Sequence, residues 1–346
     1  MKFPYGVGAL VPAGLAGDIY RLVRPLGDGA SAFVYEAEDV GRGLRVALKL
    51  LRDDASPARM RSEWRALQSL SHASIVRVLA CGFTRDAHRV PYLAMPLLGG
   101  ASLRAVLDAE GSLGLERSLD HGIELFGALA HAHRAGLVHR DLRPDNIFLE
   151  RIAPLVHRLV VLDFGLACAP GVAIPAEGGL DGHAHYTAPE LFYGVAPSFA
   201  TDLYAAGLVL FEMLTGVHAL GGGCENWRHM HSSVATPPLE ALVPTAPAAL
   251  IELQASLLAK DARERPPSAE ACGKALCAMQ EELLVAAPNS TTEDGVDSLL
   301  RRLAGPAADE VTQEDSPRPS LLRLASLPDD TDKHQPPSSS NWAISR

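Results

Sequence analysis

Asp202 to Thr215, DLYAAGLVLFEMLT, is apolar almost all the way round a helical wheel and stops at Gly216. A helix without a polar face must be buried on every side, so it belongs at the centre of a lobe built of other helices. The flanking chain supplies them. Leu115 to Ala135 places Leu119, Ile123, Phe126 and Leu129 on one helical face, with Gly136 as a stop. Leu250 to Leu258 and Ser268 to Leu284 read as two more helices, and Tyr193 to Phe199 as the loop that enters the buried one.

The first hundred residues have a different period. Tyr20 to Leu26 alternates weakly and runs into Gly27-Asp28-Gly29, after which Phe33-Val34-Tyr35 resumes an extended pattern. Arg45 to Leu51, RVALKLL, reads as a strand buried on both faces. Ile75 to Phe83 and Tyr92 to Met95 predict two further strands, which makes this part a small, mostly antiparallel lobe. Ser56-Pro57 supplies an N-cap and a proline at the first helical position. Met60, Glu63, Trp64, Leu67 and Leu70 then follow at helical spacing. With 346 residues and 47% hydrophobic content, the chain is long enough for two lobes with cores of their own.

Two residues break these patterns. Lys49 stands inside the buried strand, where a lysine either reaches solvent at the strand end or is paired. Glu63 falls within the apolar stripe of the following helix, where a bare carboxylate would cost several kcal/mol. Each is the obvious partner of the other. Further on, His139 to Asn146 reads HRDLRPDN, and Asp163-Phe164-Gly165 follows Asn146 by seventeen residues. Between them, Ile147-Phe148-Leu149 and Leu159 to Leu162 frame a hairpin. A carboxylate, a cation and an amide in one segment, with a second carboxylate behind, can hold a divalent metal against a polyphosphate and orient a hydroxyl beside it. Gly27 and Gly29 would let backbone N–H groups approach phosphate oxygens, although a lone GxG is more often a plain hairpin turn than a nucleotide loop.

In this order the motifs resemble those of the eukaryotic-like (Hanks-type) protein kinases, in particular the bacterial serine/threonine protein kinases. The resemblance spans about residues 18–284. It implies an α+β, bilobal fold: a small antiparallel β N-lobe with one main helix over about 18–95, a hinge at about 96–100, and a larger α-helical C-lobe over about 101–284. Residues 1–17 would be a leader and 285–346 a Pro/Ser/acidic tail. It also implies ATP and Mg²⁺ as cofactors and transfer of the γ-phosphate to serine or threonine hydroxyls of proteins. By the same resemblance, Asp141 would orient the substrate hydroxyl, and Asn146 and Asp163 would hold Mg²⁺. Lys49, fixed by Glu63, would hold the α- and β-phosphates beneath Gly27 and Gly29. Leu26, Val34, Ala47 and Phe148 would sandwich the adenine. Met95 would border its pocket, and backbone groups around Leu97 and Leu98 would hydrogen-bond it. Asp202 would cap its helix and hold the catalytic-loop backbone, Arg265 would pair with Glu190 of Ala188-Pro189-Glu190, and His139, Phe164 and Leu67 would pack as a core stack.

The chain departs from that pattern at several positions. Ala32 replaces the third glycine, Pro96 the acidic residue after Met95, and His183 a threonine. Arg143 stands for a lysine, which keeps the charge but replaces a compact ammonium with a planar fork. The hairpin connection is expected to be longer than usual for the family. Residues 166–185 contain no Ser, Thr or Tyr, so a phosphate that pairs with Arg140 has no acceptor before Tyr186. Constitutive activity, or control by a partner or by the tail, follows as the expectation. The alternative is a pseudokinase or nucleotide-binding scaffold; its mark is loss of Lys49, Asp141, Asn146 or Asp163, and all four are present. A small-molecule kinase would not need the peptide-substrate apparatus of Glu190, Asp202 and Arg265.

Composition excludes other classes. A net charge of −10 argues against a nucleic-acid surface. Five scattered cysteines form no CxxC pair and suit a reducing compartment. No apolar run reaches the roughly 18–20 residues of a membrane span, and prolines and glycines interrupt any signal-like start. A cytoplasmic protein is expected. The tail, with ten acidic and six basic residues, is expected to be mostly disordered. Its clusters Leu299-Leu300-Leu303 and Leu321-Leu322-Leu324 are either composition noise or docking segments for a regulatory partner.

Overall fold

The computed structural model describes residues 5–14, 17–29, 32–52, 57–86, 89–172, 184–221 and 226–286. Ser56, His183 and the tail beyond 286 lie outside them, and with them the N-cap, the substituted threonine position and the expected disorder.

The extended patterns of the first hundred residues form β1 (Leu10–Ala13), β2 (Asp18–Asp28), β3 (Ala32–Asp39), β4 (Leu44–Leu51), β5 (Ala80–Phe83) and β6 (Pro91–Pro96). They make one antiparallel sheet in the order β1-β2-β3-β4-β6-β5. β1 lies within the stretch expected as a leader. It pairs with β2, and its far end meets β5: Ala13 bridges Thr84, Gly14 N–H donates to Phe83 O at 3.2 Å, and Arg85 N–H to Pro12 O at 2.8 Å. The sheet therefore closes on itself around Val11, Tyr20, Leu22, Tyr35, Leu48 and Tyr92. Tyr5 anchors the entry, its hydroxyl donating to Asp86 at 2.6 Å and its carbonyl accepting from the Tyr35 hydroxyl at 3.0 Å.

Helix α1 (Pro57–Gln68) packs on this lobe and turns Met60, Glu63, Trp64 and Leu67 inward, as their spacing predicts. Ile75 to Leu79 is not part of a strand, contrary to the sequence expectation. Instead Ile75 bridges Val161 in parallel, Val76 N–H donates to Val161 O at 3.0 Å, and Val161 N–H donates to Ser74 O at 2.9 Å. The start of the apolar run serves the junction with the second lobe, while Leu79 at its end joins the first, its N–H donating to Ala94 O at 2.8 Å.

The connection after β6 is shorter than the expected hinge, since Pro96 still belongs to β6 and Gly100 already opens β7 (Gly100–Ser102). Gly100 is required there: its φ is 138°, and a Cβ would fall 2.1 Å from Leu149 O. Then come α2 (Leu103–Glu110) and α3 (Leu115–Arg134), followed by β8 (Ile147–Ala153) and β9 (Val156–Val161), which with β7 form a three-stranded sheet. The hairpin corrects another expectation. Its strands are longer than predicted, and Ala153 opposite Val156 leaves a tight turn in place of a long connection.

The apolar helix is α4 (Phe199–Thr215), one turn longer than predicted because Phe199 is already helical. Every residue from Thr201 to Leu214 is buried. It lies against α3 and α7 (Ala248–Leu257) and ends at Gly216, whose φ of 76° is the left-handed conformation of a helix stop. Ser198 is the N-cap, with its N–H on Thr201 Oγ1 at 3.1 Å, so Asp202 sits one turn inside the helix and is not its cap. Helices α5 (Trp227–Ser233), α6 (Leu239–Leu242) and α8 (Ala269–Ala286) complete the described chain, α8 lying along α3.

Candidate active site

Lys49 on β4 is only 7% exposed, yet it is not a strand-end lysine reaching solvent. Its Nζ lies 2.8 and 3.0 Å from the two oxygens of Glu63 on α1 and 3.0 Å from Asp163 Oδ1. Desolvation of an isolated ammonium here would cost several kcal/mol, and the two carboxylates offset it. Burial, the largest single effect, pulls the Lys49 pKa down, but Glu63 and Asp163 outweigh it and the net shift is upward. At Asp163 burial works to raise the pKa. The Lys49 charge and hydrogen bond, with Gly165 N–H on Oδ1 at 3.1 Å, instead hold the carboxyl at about 2. Three distant parts of the chain thus converge on one cation.

The HRDLRPDN segment is held from below by Asp202. This carboxylate is fully buried and accepts from His139 N–H at 2.8 Å and Arg140 N–H at 2.9 Å, with His133 Nε2 at 2.9 Å. Arg140 has φ 69° and Asp163 φ 54°, left-handed conformations that non-glycine residues keep only where surrounding structure enforces them. For Arg140 the enforcing group is Asp202. His139 Nε2 lies 3.0 Å from Leu162 O, which can only accept, and its Nδ1 accepts from Asp141 N–H at 3.2 Å. The ring is therefore the neutral Nε2–H tautomer. It stands edge-on to Phe164, centroids 4.5 Å apart, and Phe164 shares its core cluster with Leu67, as expected.

Asp141 is 7% exposed. Asn146 Nδ2 donates to both the carbonyl (2.8 Å) and the carboxylate (2.9 Å) of Asp141, so its amide oxygen remains as the acceptor. Arg143 Nε is buried without a hydrogen bond and lies 3.7 Å from Asp141 Oδ1, an ion contact too long to satisfy it. Its guanidinium also reaches Asp145 at 3.7 Å.

Of the apolar residues expected to sandwich or border a base, Leu26, Val34, Ala47 and Met95 lie on β2, β3, β4 and β6 of the first sheet, and Phe148 lies on β8 of the second. Val34 pairs with Lys49, Ala47 with Met95, and Phe148 with Ser102. Val34, Ala47, Met95, Leu98 and Phe148 are all half-buried, while Leu26 stands 39% exposed at a bulge between Pro25 and Gly27. A Cβ on Gly27 would meet nothing within 4 Å, so space is open above the loop. Both bonds to Asp163 fall on Oδ1, and among the described residues no group of three or more His, Cys, Asp or Glu could hold a metal by itself. An ionised carboxylate and an amide oxygen form the sparse oxygen set that Mg²⁺ accepts when phosphates complete its shell.

One network was not anticipated from the sequence. Glu212, in the last turn of α4 and 3% exposed, accepts from Arg104 of α2 at 2.7 Å and from the Tyr186 hydroxyl, which Arg104 also contacts at 2.7 Å. A lone carboxylate in an otherwise apolar helix was the available signal, the same signal that exposed Lys49 in its strand. The expected Glu190–Arg265 pair is present and bidentate, at 2.9 and 2.8 Å.

Residues 20–276 match the protein kinase domain. The chain belongs to the protein kinase family. It is 34% identical over 272 residues to a probable serine/threonine-protein kinase PknB of Bifidobacterium longum, covering 74% of this chain and 39% of that one. It is 32% identical over 258 residues to the serine/threonine-protein kinase PrkC of Bacillus subtilis, covering 72% and 39%. To the serine/threonine-protein kinase PknA of Mycobacterium tuberculosis it is 35% identical over 243 residues, covering 68% and 56%. The chain thus spans about two fifths of the length of the first two. Its fold is the α+β protein kinase fold, and the family uses ATP. No helix among the described residues is long and apolar enough to cross a membrane.

Proposed function

We propose that this chain is an ATP-dependent protein serine/threonine kinase that uses Mg²⁺. The observation that carries the reading is Lys49, held at 2.8–3.0 Å by both Glu63 and Asp163. That contact joins β4, α1 and the metal motif into one charged centre. When bound, ATP with Mg²⁺ supplies the phosphoryl group and neutralises its developing charge. The chain supplies positioning. Lys49 presents a fixed cation to the α- and β-phosphates beneath Gly27 and Gly29, and Asn146 and Asp163 offer hard oxygen ligands to the metal. Asp141, oriented by Asn146, accepts the hydrogen bond of the substrate hydroxyl. Arg143 aims an unsatisfied Nε at the same place and would contact the γ-phosphate side. Leu26, Val34, Ala47, Met95, Leu98 and Phe148 enclose the adenine.

Control by phosphate on the segment after Asp163 is disfavoured. Arg140 Nη1 already donates to Leu166 O at 3.2 Å, Tyr186 is buried against Glu212 and Arg104, and Thr187 is 8% exposed. The domain is therefore constitutively active or governed by a partner or the tail. It works in the cytoplasm, where ATP is available.

The test is incubation of the full chain with labelled ATP, Mg²⁺ and a generic protein substrate, beside Asp141→Asn and Lys49→Met. Label should enter the substrate on serine or threonine, and both variants should lose nearly all of it. Equal labelling by all three proteins would sink the proposal.

A further inference from the structure

The loop expected to cradle polyphosphate carries a carboxylate at its entry, on the last residue of β2. Asp28 stands between Gly27 and Gly29, its side chain 40% exposed. A negative charge there opposes the ligand the loop serves, because like charges a few Å apart repel even in a well-hydrated setting. The structure shows how that charge is met. Arg52 follows directly after β4, three residues from Lys49, and its side chain is only 14% exposed. Its guanidinium contacts the Asp28 carboxylate, and its Nε donates to Gly29 O at 2.9 Å. The guanidinium also lies over the Phe33 ring, 4.1 Å from the centroid, and Phe33 is 5% exposed and belongs to the core of the closed sheet. The cation is thus set on a rigid aromatic support and takes both an acidic and a carbonyl acceptor from the turn between β2 and β3.

We infer that Arg52 is a positioning residue for the nucleotide: it neutralises Asp28 and pins the Gly27–Gly29 turn so that the loop's backbone N–H groups can accept a polyphosphate. The inference rests on the proposed function and deepens it, since it assigns to the loop a charge partner outside the loop. Arg52 itself acts through Asp28 and Gly29. Loss of the arginine frees a carboxylate among the phosphates, so the penalty depends on ligand charge and not on the base. One unit charge acting on a polyphosphate across a few Å of partly hydrated space amounts to roughly a tenfold change in affinity.

The experiment is calorimetric titration of the full chain with ATP, ADP and adenosine, without turnover, for wild type, Arg52→Gln, Asp28→Asn and the double variant. Arg52→Gln should weaken ATP about tenfold, ADP less, and adenosine less than twofold, and raised salt should shrink the difference. Asp28→Asn added to Arg52→Gln should restore most of the lost ATP affinity, which a merely structural role would not allow. Equal losses for ATP and adenosine, no loss for either, or no rescue in the double variant would each overturn the inference while the proposed function stands. If wild type binds no ATP at all, both fall together.

Discussion

Two arginines in one turn set up a direct comparison of burial. Arg263 and Arg265 both pair with a carboxylate, Arg263 with Asp261 at 2.5 Å and Arg265 with Glu190 at 2.8 Å. Their side chains are 90% and 0% exposed respectively. Arg265 also donates to the carbonyls of Ala259 (3.0 Å), Ala200 (2.8 Å) and Lys260 (3.3 Å), and its guanidinium lies over the Tyr204 ring. Arg265→Ala removes all of these at once and leaves Glu190, whose side chain is 13% exposed, without its cation and still accepting from the Thr201 hydroxyl at 3.0 Å. Removing one partner of a buried, hydrogen-bonded pair costs about 3–5 kcal/mol, which for a domain of this size lowers Tm by roughly 6–20 °C. Arg263→Ala breaks a pair that water already screens and should leave Tm where it is. Differential scanning calorimetry of the three proteins at one buffer and protein concentration reads the difference. Equal shifts for the two variants, or a folded Arg265→Ala protein with an unchanged Tm, would refute the idea that burial decides the cost.

Two glycines test packing around α4 in the same assay. A Cβ at Gly207 would sit 2.8 Å from Leu257 Cβ, which cannot move without its backbone, so Gly207→Ala should lose about 1–3 kcal/mol. At Gly122 the nearest atoms, Leu276 Cδ1 at 2.9 Å and Leu210 Cδ1 at 3.4 Å, are rotatable ends; Gly122→Ala should cost less, and the reverse order would contradict the packing described. A further expectation concerns pH. His231, fully buried beside Tyr204, Phe192 and Trp227, has its pKa pushed down to about 3 by burial and by nearby His218 and Lys260. Between about pH 6.5 and 3 the unfolded chain binds a proton that the folded one refuses. Stability therefore falls on acidification through that window, by at most about 1.4 kcal/mol per pH unit. Denaturant titrations at several pH values should show a flatter slope for His231→Gln, and an unchanged slope would show that His231 is not the group responsible.

Much of this was legible in the residues because buried charges are conspicuous. Lys49 in an apolar strand and Glu63 in an apolar stripe announced each other, and the structure joins them. The α4 pattern predicted a helix buried on all sides, and it is. The errors share a cause: local pattern does not reveal which distant backbone a segment will meet. Ile75 to Leu79 has strand composition, but its first two residues meet Val161 beyond the hinge, and it reaches the first sheet through Leu79 N–H, at Ala94 O. Asp202 looked like a cap because carboxylates suit helix starts; its oxygens are instead committed to His139 and Arg140, more than sixty residues away. Glu212 went unremarked because its partners, Arg104 and Tyr186, lie 108 and 26 residues off.

The closure of the first sheet has a consequence for how this lobe meets other molecules. Where Ala13 bridges Thr84, β1 occupies backbone groups on the rims of both β2 and β5. An open rim is a template on which a foreign strand, or a second copy, can lengthen the sheet. Here the chain's own Leu10–Ala13 takes the β2 rim from Asp18 to Arg21 and reaches the other rim just past β5, at Thr84. Encounters on that side of the lobe must then be made by side chains, and their selectivity rests on surface chemistry that substitution can change without disturbing the sheet.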